Sequence, residues 1–237
     1  MKILALDTAT ELCSAALWID GACRTREDAR SRGSGELILG MIEALLAESE
    51  LALGALDAVA FGRGPGGFTG VRIAVAVAQG LGFAAGLPLL PVSDLRALAH
   101  QALSCEGAPA RALICQDARM AQVYWSCYER VAGDAGARQL TEARSAEALD
   151  FPERVRLPPA WADTGRAVCG AGSGFGVYAA LDALPGVALA PVFADLRPRA
   201  REIAELAAQD GLSCAVAPEA AQPVYLRDEV AALPSRN

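Results

Sequence analysis

One pattern occurs twice in this chain and constrains its fold more than any other feature. An apolar strand ends in an aspartate, a tight turn follows, and a second apolar strand returns. "ILALDTATELCSAALWI" and "ALICQDARMAQVYWSCY" both follow it, with Asp7 and Asp117 at the same place in each hairpin. After each hairpin, strands and helices alternate. Two such halves imply an α/β protein with mixed sheets and flanking helices. Ligands in such folds sit between the halves, beside hairpin turns and glycine loops.

In the first half, "KILALDT", "LCSAALWI" and "GACRTREDAR" read as three strands. "GELILGMIEALLAES" has helical periodicity: Leu37, Met41 and Leu45 form one row, and Ile38, Ile42 and Leu46 the next. "LDAVAFG" is a strand, and a helix follows from near Thr69, a candidate cap. "LPLLPVS" is a strand, and Ser93 caps a helix over "DLRALAHQAL". "CEGAPA" reads as a linker and divides the chain into halves 1–105 and 106–237. Beyond the second hairpin, residues 132–168 read as irregular, with a candidate helix at "SAEALDF". "AVCGAGSGFGVYAALDAL" reads as strand, glycine turn and helix. "RPRAREIAELAAQDG" is an amphipathic helix with Pro198 in its first turn and Gly211 past its end.

Composition excludes several functions. The formal charge is −7 over 237 residues, a poor balance for a primary nucleic-acid binder, which must neutralise phosphates. Arg24, Arg26, Arg30 and Arg32 are a small local exception. Seven cysteines are scattered singly, with no C-x-x-C pair, so no disulfide framework or zinc site is expected and a reducing cytoplasm fits. Asp7 interrupts the N-terminal apolar run too early for a signal peptide. The tract from Ile73 to Pro91 contains Gln79 and three glycines, a poor membrane span. His100 is the only histidine, so paired-histidine metal sites and Ser-His-Asp chemistry are not expected.

Three turns are candidate sites. In "DTAT", Asp7, Thr8 and Thr10 can gather hydroxyls and backbone N–H groups around a phosphate; Asp and Thr also favour turns for purely local reasons. "GRGPGGFTG" lacks the lysine of a P-loop. With Gly64, Gly66 and Gly67 it can still place an anion at a helix N-terminus, or simply make a strand-to-helix turn. "CGAGSGFG" is a loose dinucleotide-loop match, equally suited to packing. Asp117 is the second hairpin's counterpart of Asp7.

The helix after "GRGPGG" is apolar nearly all round. Gly70, Ala74, Ala78 and Gly82 form a row of small residues, with Ile73, Val77 and Leu81 a row of large ones beside it. Between Thr69 and Ala85 only Arg72 and Gln79 are strongly polar. A helix covering a sheet needs one apolar face and leaves the other wet. The helix near residues 36–48 has the same excess, through Leu37, Ile38, Leu39, Met41, Ile42, Leu45 and Leu46. One such helix is explained by deep burial. Two together suggest an exposed apolar patch of interface size. Ala74 and Ala78 are expected in contact with a second subunit, with Leu37 and Met41 beside them.

Together "ILALDTAT", "DAVAFGRGPGGFTGVRIAVAVAQGLG", "GLPLLPVSDLRALA", "DARMAQVYW" and "PVYLRD" make the chain resemble the TsaB (YeaZ) family over most of its length except 132–168. The resemblance implies two lobes of the ASKHA (actin-like) superfamily and a bacterial cytoplasmic protein. It implies a non-catalytic scaffold in the complex that puts a threonylcarbamoyl group on a tRNA adenosine beside the anticodon. The implied partners are a TsaD-type catalytic subunit, a TsaE-type ATPase, tRNA through the complex, and a second copy when the chain is alone. The implied contact surface comprises the two over-apolar helices, with Leu37, Ile38, Met41, Leu45, Gly70, Ile73, Ala74, Val77, Ala78 and Leu81. "DTAT" lacks the glycine of the superfamily's strongest phosphate hairpins, so no cofactor is expected beyond weak nucleotide binding. The rival reading is an ATP-dependent hydrolase or kinase-like enzyme using Asp7 or Asp117; a peptidase lacks a histidine base.

Overall fold

A computed structural model of the chain describes residues 1–29, 34–132, 139–161, 164–184 and 188–227. Arg30 and Arg32 lie outside them. The first sheet holds β1 (Lys2–Asp7), β2 (Cys13–Ile19), β3 (Ala22–Asp28), β4 (Ala58–Gly62) and β5 (Leu89–Val92), in the order β3-β2-β1-β4-β5. Strands β1, β2 and β3 pair antiparallel, while β1, β4 and β5 run parallel. The second sheet is built from β6 (Arg111–Asp117), β7 (Val123–Ala132), β8 (Gln139–Ala143), β10 (Val168–Ala171) and β11 (Leu189–Phe193). Its order is β11-β10-β6-β7-β8, and the short β9 (Ala148–Asp150) also pairs with β7. Again the first three strands are antiparallel and the rest parallel. The repeat visible in one hairpin therefore extends over five strands. Asp7 and Asp117 each end a central strand.

Alternation along β1 sets the layers. Leu4 and Leu6 face one way, into a core with Ile38, Met41, Ile42 and Leu45 of α1 (Ser34–Glu48) and Ala74 and Ala78 of α2 (Phe68–Ala85). Ile3 and Ala5 face the other way, against Ala200, Ile203, Ala204 and Leu206 of α4 (Ala200–Asp210). Helix α3 (Asp94–Ser104) gives Leu95, Leu98 and Leu103 to the core of the second sheet, with Ile114, Tyr128 and Cys169. The strands thus divide at the linker, but the helices cross over: α4 serves the first sheet and α3 the second. Trp161, Phe175, Leu181 and Leu184 close the second sheet's far face.

Several local expectations change. Helix α2 begins at Phe68 with Gly67 as its cap, and Thr69 lies in its first turn. Ser93 does cap α3, its hydroxyl accepting from Arg96 N–H at 3.1 Å. "SAEALDF" forms no helix: Ala148–Asp150 is the strand β9, drawn into pairing with β7 despite good helix formers. The helix expected after "CGAGSGFG" is two short 3₁₀ turns, at Ser173–Gly176 and Ala179–Ala183.

Candidate functional site

The first hairpin and the glycine loop meet one another. Asp7 and Thr8 are buried, and the Thr8 hydroxyl donates to the Gly70 carbonyl at 2.6 Å. Gly67 N–H donates to the Ala9 carbonyl at 2.7 Å. The Thr10 hydroxyl accepts from Leu12 N–H at 3.2 Å, a local turn contact. Space explains the glycines. A Cβ on Gly70 would overlap the Thr8 carbonyl, and one on Gly66 would stand 2.8 Å from Ala9. Gly64 adopts φ +93°, and Val224 crosses beside it, donating to the Arg63 carbonyl at 2.7 Å. Thr8, Gly64, Gly66 and Gly67 are thus engaged by the chain itself.

The second hairpin is engaged in the same way. Asp117 Oδ1 accepts from the Tyr178 hydroxyl at 2.8 Å and from Arg119 N–H at 2.9 Å. Arg119, Met120 and Ala121 all have positive φ, a costly turn for non-glycine residues. Arg227 from the tail braces it, donating to the Ala118 carbonyl at 3.0 Å and to Gln122 Oε1 at 2.8 Å. In "CGAGSGFG", a Cβ on Gly172 or Gly174 would stand 2.5 or 2.8 Å from the Cys115 carbonyl oxygen. Close packing on β6 accounts for those glycines.

A polar cluster that sequence reasoning missed joins the halves. Asp94, the first residue of α3, is fully buried beside Asp7. Ser93 and Tyr128 donate to Glu147 Oε1, and Arg63 donates to Glu147 Oε2 at 3.1 Å. Burial pushes the Asp7 carboxyl up to about 6. Burial and the charge of Asp7 push Asp94 well above the ordinary range. His100 is occupied as well, with Nδ1 2.8 Å from the Thr141 hydroxyl and Nε2 3.3 Å from Glu205. Among the described residues no group of three or more His, Cys, Asp or Glu side chains is placed to hold a metal ion.

Helices α1 and α2 lie side by side on the first sheet, and the structure reverses part of their expected roles. Ala74 and Ala78 are fully buried within the chain, together with Ile38, Met41 and Leu45. Gly70 and Gly82 also face inward, where added Cβ atoms would meet Thr8 and Leu89. The small-residue row therefore seats α2 closely on its own sheet. Leu37, Ile73, Val77 and Leu81 are half-buried at the rim. The outward surface is formed by Leu39, Gly40 and Ala47 of α1, with Glu36, Glu43 and Glu48 among them, and by Ala76, Gly80, Phe83 and Ala84 of α2, with Phe68, Thr69 and Arg72 at its N-terminal end. Leu39 is 51% exposed and Phe83 60%. Cβ atoms on Gly40 and Gly80 would meet nothing within 4 Å. A shallow groove of about 580 Å³ between β3 and α1 continues this surface past Leu37 and Gly40. Helix α2 is long and apolar enough to cross a membrane, yet its buried row is committed to β1, β4 and the first hairpin.

Residues 28–234 match the family model described as TsaD: tRNA N6-adenosine threonylcarbamoyltransferase. The tRNA threonylcarbamoyladenosine biosynthesis protein TsaB of Escherichia coli (strain K12) is 38% identical over 231 residues, which cover 98% of this chain and 96% of that protein. A solved structure, YeaZ from Pseudomonas aeruginosa, superimposes with a TM-score of 0.82 at 39% identity, covering 95% of this chain and 100% of that one. The chain belongs to the TsaB (YeaZ) family. A second structure, an uncharacterized protein with similarity to peptidase YEAZ from Pseudomonas aeruginosa, gives a TM-score of 0.83 at 40% identity, covering 95% of this chain and 99% of that one. The Haemophilus influenzae TsaB is 45% identical over 138 residues, 57% of this chain and 58% of that protein. The paired mixed sheets are the actin-like lobes that membership in this family implies.

Proposed function

We propose that this chain is a non-catalytic scaffold in tRNA threonylcarbamoyladenosine biosynthesis. It acts in the cytoplasm as part of the complex that transfers a threonylcarbamoyl group to N6 of the tRNA adenosine beside the anticodon. It binds and stabilises a TsaD-type catalytic subunit, meets a TsaE-type ATPase and tRNA through the complex, and pairs with itself when alone. The observation that carries this reading is the outward surface of α1 and α2. Gly40 and Gly80 occupy open helix surface, where glycine costs roughly 1 kcal/mol relative to alanine. They leave room for the backbone of a second helix to come close, and the neighbouring Leu39 and Phe83 give it apolar area to cover.

The enzyme alternative needs a reachable carboxylate, and Asp7 is 0% exposed. Asp117 is already held by Tyr178 and Arg119. The purified chain with ATP and magnesium should therefore show no turnover above background. Reconstituted tRNA modification should nevertheless depend on adding the chain to the TsaD-type and TsaE-type proteins. Steady ATP turnover by the chain alone, abolished by Asp7→Asn in a folded protein, would overturn the scaffold reading.

A further inference from the structure

Two carboxylates meet where solvent does not reach. Asp7 ends β1 and Asp94 opens α3, and both are 0% exposed. Asp7 shares the phase of Ile3 and Ala5 along β1, so it points into the layer where α3 begins. Its Oδ1 accepts from Ala9 N–H at 2.8 Å, and Asp94 Oδ2 accepts from Gly64 N–H. The remaining oxygens, Asp7 Oδ2 and Asp94 Oδ1, have no donor. Gly62 closes the space beside them: a Cβ there would stand 2.5 Å from Asp94 Oδ1 and 2.7 Å from Asp7 Oδ1. Two buried like charges with undonated oxygens are strongly unfavourable. One proton on Asp94 Oδ1 removes one charge and supplies a donor to Asp7.

The field of Arg63 reaches Asp94 from the turn after β4. Its backbone is fixed at both ends, N–H to the Val92 carbonyl at 2.9 Å and carbonyl to Val224 N–H at 2.7 Å. Its side chain is 28% exposed and pairs with Glu147 of the second half at 3.1 Å. Glu147 is the point at which Ser93, Tyr128 and Arg63 converge. From the other elements around the pair, Cys13 of β2 feels the charge of Asp7, while α2 presents the uncharged Gly70 to the adjoining Thr8.

We propose that Asp7 and Asp94 share a single proton, and that this proton decides the partner of Arg63. With the proton in place, Arg63 pairs with Glu147 and ties the two halves together. With the proton lost, a second buried carboxylate draws Arg63 to Asp94 and frees Glu147. The device is a two-state contact biased by protonation.

Two measurements on the full chain test this. Carboxyl ¹³C NMR between pH 4 and 9 should show Asp7 and Asp94 titrating as a coupled pair, one proton retained at pH 6. A double-mutant cycle with Arg63→Gln and Glu147→Gln, read from urea unfolding, reports the contact itself. The coupling should fall by about tenfold in the unfolding constants between pH 6 and pH 9. In an Asp94→Asn background, where the amide donates permanently to Asp7, it should stay level. Asp7→Asn provides the same lock if Asp94→Asn does not fold. Full ionisation of both carboxyls below pH 5, or a coupling unchanged with pH in the unsubstituted chain, would overturn the proposal.

Discussion

Asp94 follows a capping serine, and in the sequence it reads as an ordinary first-turn acid. Nothing in "VSDLRALA" signals that β1 will deliver a second carboxylate to it, because that meeting is made by the tertiary approach of the start of α3 to the end of β1. Asp7 was legible as a special position; its burial was not. The pair has a consequence for stability. An acid whose pKa rises on folding holds its proton more tightly when folded, so stability is lost as pH rises through the folded value. For Asp7, raised from 3.8 to about 6 chiefly by burial, that contribution is present below about pH 4 and is gone by pH 7 to 8. Ionisation of Asp94 adds to the loss at higher pH. Glu11, Glu129 and Glu205, lowered by their arginine or histidine partners, act with the opposite sign below about pH 5. The informative quantity is therefore the difference between variants. Asp94→Asn should gain on the unsubstituted chain in urea melts as pH is raised from 5 to 8. Parallel pH profiles for the two proteins would show that the pair carries no excess proton.

At the scale of elements, α2 shows how far a helical pattern can be read. Its apolarity was legible, and so was the presence of two faces. Which face turned inward was not, because small residues serve two opposite purposes. They allow close approach to a partner helix, or they seat a helix tightly on its own sheet. Gly70, Ala74, Ala78 and Gly82 do the second, since the Thr8 backbone and Leu89 leave no room for larger side chains. The adjacent row Ala76, Gly80 and Ala84 is left on the surface. Ala78→Glu should bury an unpaired charge and destabilise the chain by about 4 kcal/mol or more. Gly80→Glu lies in open space and should leave the melting temperature within about 3 °C. Circular dichroism melts compare the two directly. Equal damage from both would mean that the α2 surface is not free in the monomer. Strand β9 is the opposite case: "SAEALD" has helix-forming residues, but pairing with β7 decides its conformation.

At the scale of the whole molecule, a five-stranded and a six-stranded sheet share one five-strand order, while α3 and α4 exchange places between their cores. The repeat was legible from one hairpin because its apolar strands and aspartates recur. The exchange was not, because amphipathic periodicity gives a helix's buried face but not the sheet it will cover. Both hairpin turns are engaged by the chain's own loops and tail, while the outward surface of α1 and α2 exposes Leu39 and Phe83 beside Gly40 and Gly80. The central claim is that this surface binds a catalytic partner. Light scattering of the chain mixed with a TsaD-type subunit tests it most directly. The account predicts a complex with the mass of one chain of each kind, formed by the unsubstituted protein and lost with a folded Gly80→Glu variant. A complex of undiminished mass and affinity with Gly80→Glu would contradict it.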